Sequence, residues 1–303
     1  MKKKVLYLFL TMVLSLGLAA CGGSDDKADE HKDHEDRQDD AAKEEDTDKN
    51  QIAGAPFQDG TYTLEEQDYD ENGWRIVFSL TVDDGKISKS DFNYVNENGD
   101  LKSEDEAYQK KMKEVSGVGP KEYIPDLNEQ LVEKQDPMLV DVVTGATHSS
   151  EKFINYAQQL VQASQNGNTD KIEIMNGNPL QDGEYSITEK NADARGWKYF
   201  IKMTVQGGKI TAVDFDSVNT EGKLKSEDDN YQKQMSEKTG VGPQDYMPAL
   251  EEALIENQNA DDISVVSGAT HSSHIFKIYA AQLINAAQKG ETKPIEVDNL
   301  VFE

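Results

Sequence analysis

The string VVTGATHSS at residues 142–150 returns as VVSGATHSS at residues 265–273. Eight of the nine positions agree, and beyond the two valines none carries a bulky apolar side chain. A core strand is specified by the volume it fills. What is copied here is a backbone shape and a set of hydroxyls. Outward from the string the register holds without a gap. Gln58 to Gly167 aligns with Gln181 to Gly290 at a constant offset (181 − 58 = 123), and 55 of the 110 positions are identical. Trp74 matches Trp197, Gly117 matches Gly240 and Thr147 matches Thr270. A repeat of this length can bury its own core, so it is a domain rather than a solenoid unit. The expected organisation is a first domain at 58–167, a linker NTDKIEIMNGNPL at 168–180, and a second domain with its tail at 181–303. The tail VDNLVFE (297–303) has the style of the linker and is expected to pair as an edge strand or pack on the second domain.

Each unit opens with strand signals. GTYTLEEQ alternates, Asn72-Gly73 turns, WRIVFSLTV is rich in β-branched and aromatic residues, Asp84-Gly85 turns, and KISKSDFNYV returns. Asn-Gly and Asp-Gly between such runs mark hairpins. The period then changes. Ser103 and Glu106 have the spacing of a capping box, opening a helix that should end at Gly117. GVGP (117–120, and again at 240–243) reads as a loop, and Pro125 suits the first position of a second helix continued by Leu127 and Leu131. A short strand, VDVV, should precede the repeated string. After it, Phe153, Ile154, Ala157, Leu160 and Val161 recur at helical spacing, as do Phe276, Tyr279, Ala280, Leu283 and Ile284. The expected class is α+β: two tandem homologous domains, each an antiparallel β meander followed by helices, with the repeated turn at a strand-to-helix junction.

The amino-terminal end sets the compartment. MKKK is a short positive segment, and VLYLFLTMVLSLGL is an apolar run of the length of a signal-peptide core rather than a membrane span. LAAC (18–21) followed by GGS resembles a bacterial lipobox, which implies cleavage after residue 20 and a lipid on Cys21; an uncleaved anchor helix is the alternative. Both place the rest of the chain outside the cytoplasmic membrane. Cys21 is the only cysteine, so no intrachain disulfide or thiolate cluster can form. Residues 24–50 hold thirteen acidic and five basic residues and no apolar residue larger than alanine. Such a segment cannot offset its ordering entropy by burial, so residues 21–57 are expected to be a disordered, lipid-anchored acidic tether. His31 and His34 within it could bind a metal weakly; a solvated spacer explains them better. The whole chain carries −27, and loss of three signal-peptide lysines gives −30 (−27 − 3 = −30). That balance excludes nucleic acid as a partner and suits cations such as oxidised metal ions.

The string TGATHSS sits where a helix begins. Gly145 permits a tight turn, Ala146 leaves the approach uncrowded, and the free N–H groups of the first helical turn form an anion site suited to phosphate. Thr147 adds a hydroxyl at that point. The second copy offers Gly268, Ala269 and Thr270. A plain helix cap would also place a hydroxyl residue here, though it would not copy the whole string.

The string resembles the flavinylation motif of the FMN-binding domain family, Asp-x-x-Ser/Thr-Gly-Ala-Ser/Thr. In that family a flavin transferase joins the FMN phosphate to the last hydroxyl. DVVTGAT (141–147) matches from Asp141 to Thr147; SVVSGAT (264–270) matches except that Ser264 stands for the aspartate. The resemblance implies two covalent FMN groups, in phosphothreonine-type linkage to Thr147 and Thr270. The neighbours Thr144, Gly145, Ala146, His148 and Ser149, and Ser267, Gly268, Ala269, His271 and Ser272, would form the cofactor-binding turns. With the lipobox and the acidic tether, the layout resembles the two-flavin lipoproteins of Gram-positive extracellular electron transfer. It implies a membrane-anchored extracytoplasmic electron carrier, with a membrane quinol-linked donor and with ferric iron or soluble electron shuttles as acceptors. No nucleophile–base–acid arrangement is present, and one-electron exchange needs none.

Tyr108 and Met112, with Tyr231 and Met235, lie four apart on one helix face and could cover the flavin ring; core packing explains them as well. Trp74 and Trp197 fit core better than stacking. His148 and His271 could help to bind phosphate or the transferase, or simply face solvent. Two further functions stay open on sequence: a nonredox lipoprotein holding a phosphorylated ligand noncovalently, and a pheromone released from the signal peptide around VLSLGLAA.

Overall fold

The alternation of GTYTLEE, RIVFSLTVD and KISKSDFNYV becomes three antiparallel strands in the computed structural model, which describes residues 51–298, 301 and 302. Cys21, the signal peptide, His31, His34 and the acidic segment 24–50 lie outside the described residues. A first strand, β1 (Gln51–Ala53), is followed by β2 (Gly60–Glu66), β3 (Arg75–Asp83) and β4 (Lys86–Val95). Asp84 and Gly85, at φ +51° and +71°, make the β3–β4 turn with both residues left-handed, as a two-residue hairpin requires. The β2–β3 connection is longer than the Asn72-Gly73 signal implies. Residues 67–74 form a loop organised by Asp70, whose carboxylate accepts from the N–H groups of Asn72 and Trp74, both at 2.9 Å. Along β3, Ile76, Phe78, Leu80 and Val82 point into the core.

Three helices cover that face: α1 (Glu106–Ser116), α2 (Pro120–Lys134) and α3 (Thr147–Asn166). Phe153, Ala157, Leu160 and Val161 of α3 are fully buried, and Phe153 meets Phe78 and Phe92 at ring-centroid distances of 5.0 and 5.2 Å. Full burial of a side chain the size of Phe153, Leu160 or Val161 contributes about 2 kcal/mol relative to exposure. A short strand, β5 (Ile172–Ile174), then pairs parallel to β2, giving the order β4-β3-β2-β5. The second repeat reproduces the plan with β6 (Gly183–Glu189), β7 (Trp197–Gln206), β8 (Lys209–Asn219), α4 (Asp229–Thr239), α5 (Pro243–Asn257), α6 (Thr270–Lys289) and β9 (Ile295–Val297), in the order β8-β7-β6-β9. The class is therefore α+β, with two sheets each followed by helices. A last strand, β10 (Val301–Phe302), pairs antiparallel with β1.

Five expectations are corrected. Asp105, not Ser103, caps α1 by accepting from Tyr108 N–H at 2.8 Å; Ser103 lies in a 3-10 turn and accepts from Asn93. Pro120 takes the first position of α2, and Pro125 falls inside the helix. VDVV forms no strand: Asp141 and Val142 are exposed and pair with no strand, so the repeated turn follows an irregular segment. Residues 172–174, expected to link the domains, belong to the first sheet. The start of the first domain lies before residue 58: Phe57 is buried in its core, and Gln165 donates to the Ala55 carbonyl at 3.1 Å.

Both repeats belong to one compact unit. Lys277 of α6 pairs with Glu151 of α3 at 3.1 Å. Asn285 of α6 accepts from Met175 N–H at 2.9 Å and donates to the Glu173 carbonyl at 3.1 Å, so the segment after β5 is tied to both repeats.

Candidate functional site

In the repeated string the glycine, the alanine and the two serines each have a structural duty. Gly145 and Gly268 both sit at φ +85°. A Cβ on Gly145 would lie 2.3 Å from the Ser116 carbonyl oxygen, and one on Gly268 would lie 2.5 Å from that of Thr239. Glycine is thus required twice over, by conformation and by the close approach of the end of α1 or α4. Ala146 and Ala269 are buried at the helix start. The second serine of each copy is a staple. Ser150 Oγ accepts from Val143 N–H at 3.0 Å and donates to the Ala146 carbonyl at 3.0 Å; Ser273 does the same with Val266 and Ala269 at 3.1 and 2.9 Å.

The first serine of each copy is anchored from below. Tyr94 donates to Ser149 Oγ at 3.0 Å, and Ser149 reaches Tyr123 at 3.4 Å. In the second repeat Tyr199 and Ser272 are 3.0 Å apart, and Ser272 donates to Tyr246 at 3.3 Å. Burial raises the pKa of all four tyrosines, which keeps these hydroxyls protonated. Tyr94 and Tyr199 are not equivalent positions. Tyr94 on β4 faces Ile76 on β3, whereas Tyr199 on β7 faces Ser217 on β8. The phenol has crossed to the neighbouring strand, yet its hydroxyl ends on the same serine.

With both serines turned inward, Thr147 and Thr270 are left exposed at the first position of α3 and α6, and His148 and His271 are exposed beside them. The first N–H groups of a helix have no acceptor within it. Thr144 and Ser267 are exposed turn residues. The carboxylate of Asp141 pairs with Lys134 of α2 at 2.6 Å. In the second repeat Ser264 replaces Asp141 and Asn257 replaces Lys134, so the two partners of the ion pair change together.

A cavity of about 480 Å³ opens beside Thr270. Its walls bring together Gly268, Ala269, His271 and Ser272 from the turn with Tyr231 and Met235 from α4, which completes the set expected of this repeat apart from Ser267. Tyr199, Tyr246 and Lys225 also line it. Tyr108 and Met112 hold the same half-buried places in the first repeat. Trp74 and Trp197 are core residues, each edge-on to the tyrosine of the covering helix, at 6.1 Å from Tyr108 and 5.9 Å from Tyr231. Sequence reasoning missed Lys102 and Lys225. The signal was present: LKSED at 101–105 is repeated unchanged at 224–228.

These turns define a class. The profile of the FMN-binding domain family matches residues 73–162, which span the first copy of the string. The 15 kDa lipoprotein of Treponema pallidum (strain Nichols) is 40% identical over 113 residues, covering 37% of this chain and 80% of that protein. A crystal structure of a Clostridium perfringens protein is 39% identical, covering 40% of this chain and 98% of that one, with a TM-score of 0.38. A solution structure of a Clostridium thermocellum protein is 22% identical over 40% of this chain and 99% of that one, with a TM-score of 0.25. The chain belongs to the FMN-binding domain family.

The residues present fit FMN. The cavity is of the size that encloses a ligand of this class, with aromatic and thioether cover on one side and a helix start on the other.

Proposed function

We propose that this protein is a lipid-anchored, extracytoplasmic electron carrier holding two FMN groups, each joined through its phosphate to a threonine, Thr147 in the first domain and Thr270 in the second. The observation that carries the proposal is the exposed threonine at each helix start, set between a glycine that admits no side chain and two serines that are both engaged inward. Of the hydroxyls in each GATHSS turn, only the threonine's is turned outward to accept a phosphoryl group. The lipid anchor is supported by LAAC at 18–21 and by likeness to a protein named as a lipoprotein. Among the described residues no helix is long and apolar enough to cross a membrane.

When bound, FMN supplies one- and two-electron redox chemistry. The chain's part is attachment, cover and charge. A noncovalent site with a Kd of about 1 μM holds its ligand by roughly 8 kcal/mol, and dilution outside the cell would strip it; a phosphodiester removes that route of loss. The helix start stabilises the phosphate charge. Tyr231 and Met235, and by the repeat Tyr108 and Met112, would cover the bound flavin. The partners in this proposal are a flavin transferase, a membrane quinol-linked donor, and ferric iron or soluble shuttles as acceptors.

Coexpression with a flavin transferase tests it. The mature chain should gain the mass of two FMN less two waters and stay yellow after denaturation. Thr147→Ala and Thr270→Ala should each remove one adduct, and the double variant both. Flavin that binds but is lost on denaturation would favour noncovalent phosphate-ligand binding, and a chain that takes up no flavin at all would sink the proposal.

A further inference from the structure

A lysine is buried under each site with no carboxylate to match it. Lys102 is 5% exposed and Lys225 is 2% exposed. Among the described residues neither forms an ion pair with an acidic side chain. Each ammonium is instead surrounded by rings, and Lys225 Nζ also donates to the Tyr199 hydroxyl at 3.5 Å. Lys102 Nζ lies 4.2 Å from the centroid of Tyr94, 4.4 Å from Tyr108 and 5.8 Å from Trp74. Lys225 Nζ lies 4.8 Å from Tyr231, 5.1 Å from Tyr199 and 5.4 Å from Trp197. Cation–π contacts offset part of the desolvation penalty, yet buried charges are ordinarily paired. Burial pulls both lysines down to about 8. The carboxylates that act on them do so from beyond contact: Asp70 and Glu66 on Lys102, against Lys152, and Asp193, Asp216 and Glu189 on Lys225, against Arg195.

Two facts separate this arrangement from an accident of packing. It occurs twice, and in the second copy one ring of the cage comes from a different strand, Tyr199 of β7 in place of Tyr94 of β4. The cage has survived replacement of its parts. Moreover, Lys225 lines the same cavity as Thr270, on the wall that carries Tyr231 and Tyr199. An ammonium without an anion, facing a cavity, is one half of a pair whose other half is the ligand.

We propose that Lys102 and Lys225 are the counter-cations of the flavin ring systems, binding the negative charge that each ring gains on reduction. The inference rests on the flavin reading above. The phosphate has its own seat at the helix start; the lysine stands among aromatic faces, where a flat conjugated ring fits. In the step concerned, two electrons from an external reductant and one proton from solvent enter the oxidised ring system, which is left with one negative charge. No bond to the protein forms or breaks. A positive group held beside that charge favours the reduced form and raises the midpoint potential.

The test uses the full-length flavinylated chain, with Thr147→Ala to leave only the second flavin or Thr270→Ala to leave only the first. Intact mass establishes attachment, and a dithionite titration with optical readout measures the potential. A charge-assisted contact shifts an equilibrium by about tenfold or more. Lys225→Met should therefore disfavour the reduced form by about tenfold or more, a fall of about 30 mV or more for a two-electron couple. Lys225→Arg should keep the parent potential. Lys102→Met and Lys102→Arg should behave alike in the first domain. Attached flavin with an unchanged potential in Lys225→Met overturns the lysine's role and leaves the flavin reading standing. Flavin lost from the Met variant but kept by the Arg variant assigns the charge to phosphate attachment and overturns the ring assignment. Loss from both assigns it to folding, with the same consequence. A parent chain without adducts overturns the flavin reading and this inference together.

Discussion

Gly145 shows how much one residue of the turn decides. Its φ of +85° is costly for any side chain, and the Ser116 carbonyl stands 2.3 Å from where a Cβ would be. The obstacle is backbone, which cannot rotate away, so Gly145→Ala must shift either the turn or the end of α1. Strain of this kind costs about 1–3 kcal/mol. Gly145→Ala should lower the urea midpoint of the first domain and abolish the adduct at Thr147 while leaving that at Thr270. A variant that retains both adducts and its parent stability would show that the turn is not held as tightly as the geometry demands. The glycine, alanine and threonine were legible as a turn because small residues in a row leave few other structures. The division of labour between the serines was not, since two adjacent hydroxyls look alike in sequence. Only the path of the chain shows that Ser149 meets a tyrosine and Ser150 closes the turn. Lys102 was illegible for a related reason: a lysine beside Ser and Glu has the composition of a surface, and nothing local shows that three rings will surround it.

The elements beneath the turn differ between the two repeats in how they hold a buried carboxylate. Glu66 on β2 accepts from Tyr156 of α3 at 2.7 Å and pairs with Lys152 at 3.1 Å. Glu189 on β6 accepts from Tyr279 of α6 at 2.8 Å and from Tyr199 N–H at 2.8 Å, but Ile275 stands where Lys152 would be. Burial raises Glu189 to about 7, with Asp193 adding to the rise, while the two hydrogen bonds and Lys225 oppose it. An acid whose pKa rises on folding holds its proton more tightly when native. Its contribution to stability is therefore full below the unfolded value of 4.5 and is lost as pH rises toward about 7. The urea midpoint of the second domain should fall between pH 5 and pH 8, and Glu189→Gln should remove much of that fall. An identical pH profile in the variant would mean that Glu189 is not the group responsible. The hairpins were readable from Asp-Gly and from alternation because both act over a few residues. VDVV misled for the opposite reason: a β-branched run becomes a strand only where the fold lays it along a sheet, and the strand that completes each sheet, β5 or β9, comes from elsewhere in the chain.

Over the whole molecule, the formal charge of −27 gives the surface a field that reaches well beyond any single residue. Exposed charges are screened over about 8 Å at physiological ionic strength. If acceptors arrive along that field, reduction of cationic ferric complexes by the flavinylated protein should slow as salt rises, and reduction of a neutral quinone should not. Stopped-flow traces at low and high salt separate the two, and equal dependence would remove any role for steering. The tandem arrangement was plain in the sequence because the copies keep one register throughout. The contacts between them were not, since Lys277–Glu151 and the bonds of Asn285 use residues that the repeat does not copy: Glu151 aligns with His274, Lys277 with Ile154 and Asn285 with Gln162. The order β4-β3-β2-β5 has a practical bearing on any attempt to produce one domain alone. The fourth strand arrives after the last helix, so a gene fragment stopped at residue 167 would leave the outer side of β2 bare. Unpaired strand edges recruit other chains. Insoluble protein from such a fragment would reflect a misplaced stop codon rather than an unstable fold, and extending the fragment past Ile174 should return it to solution.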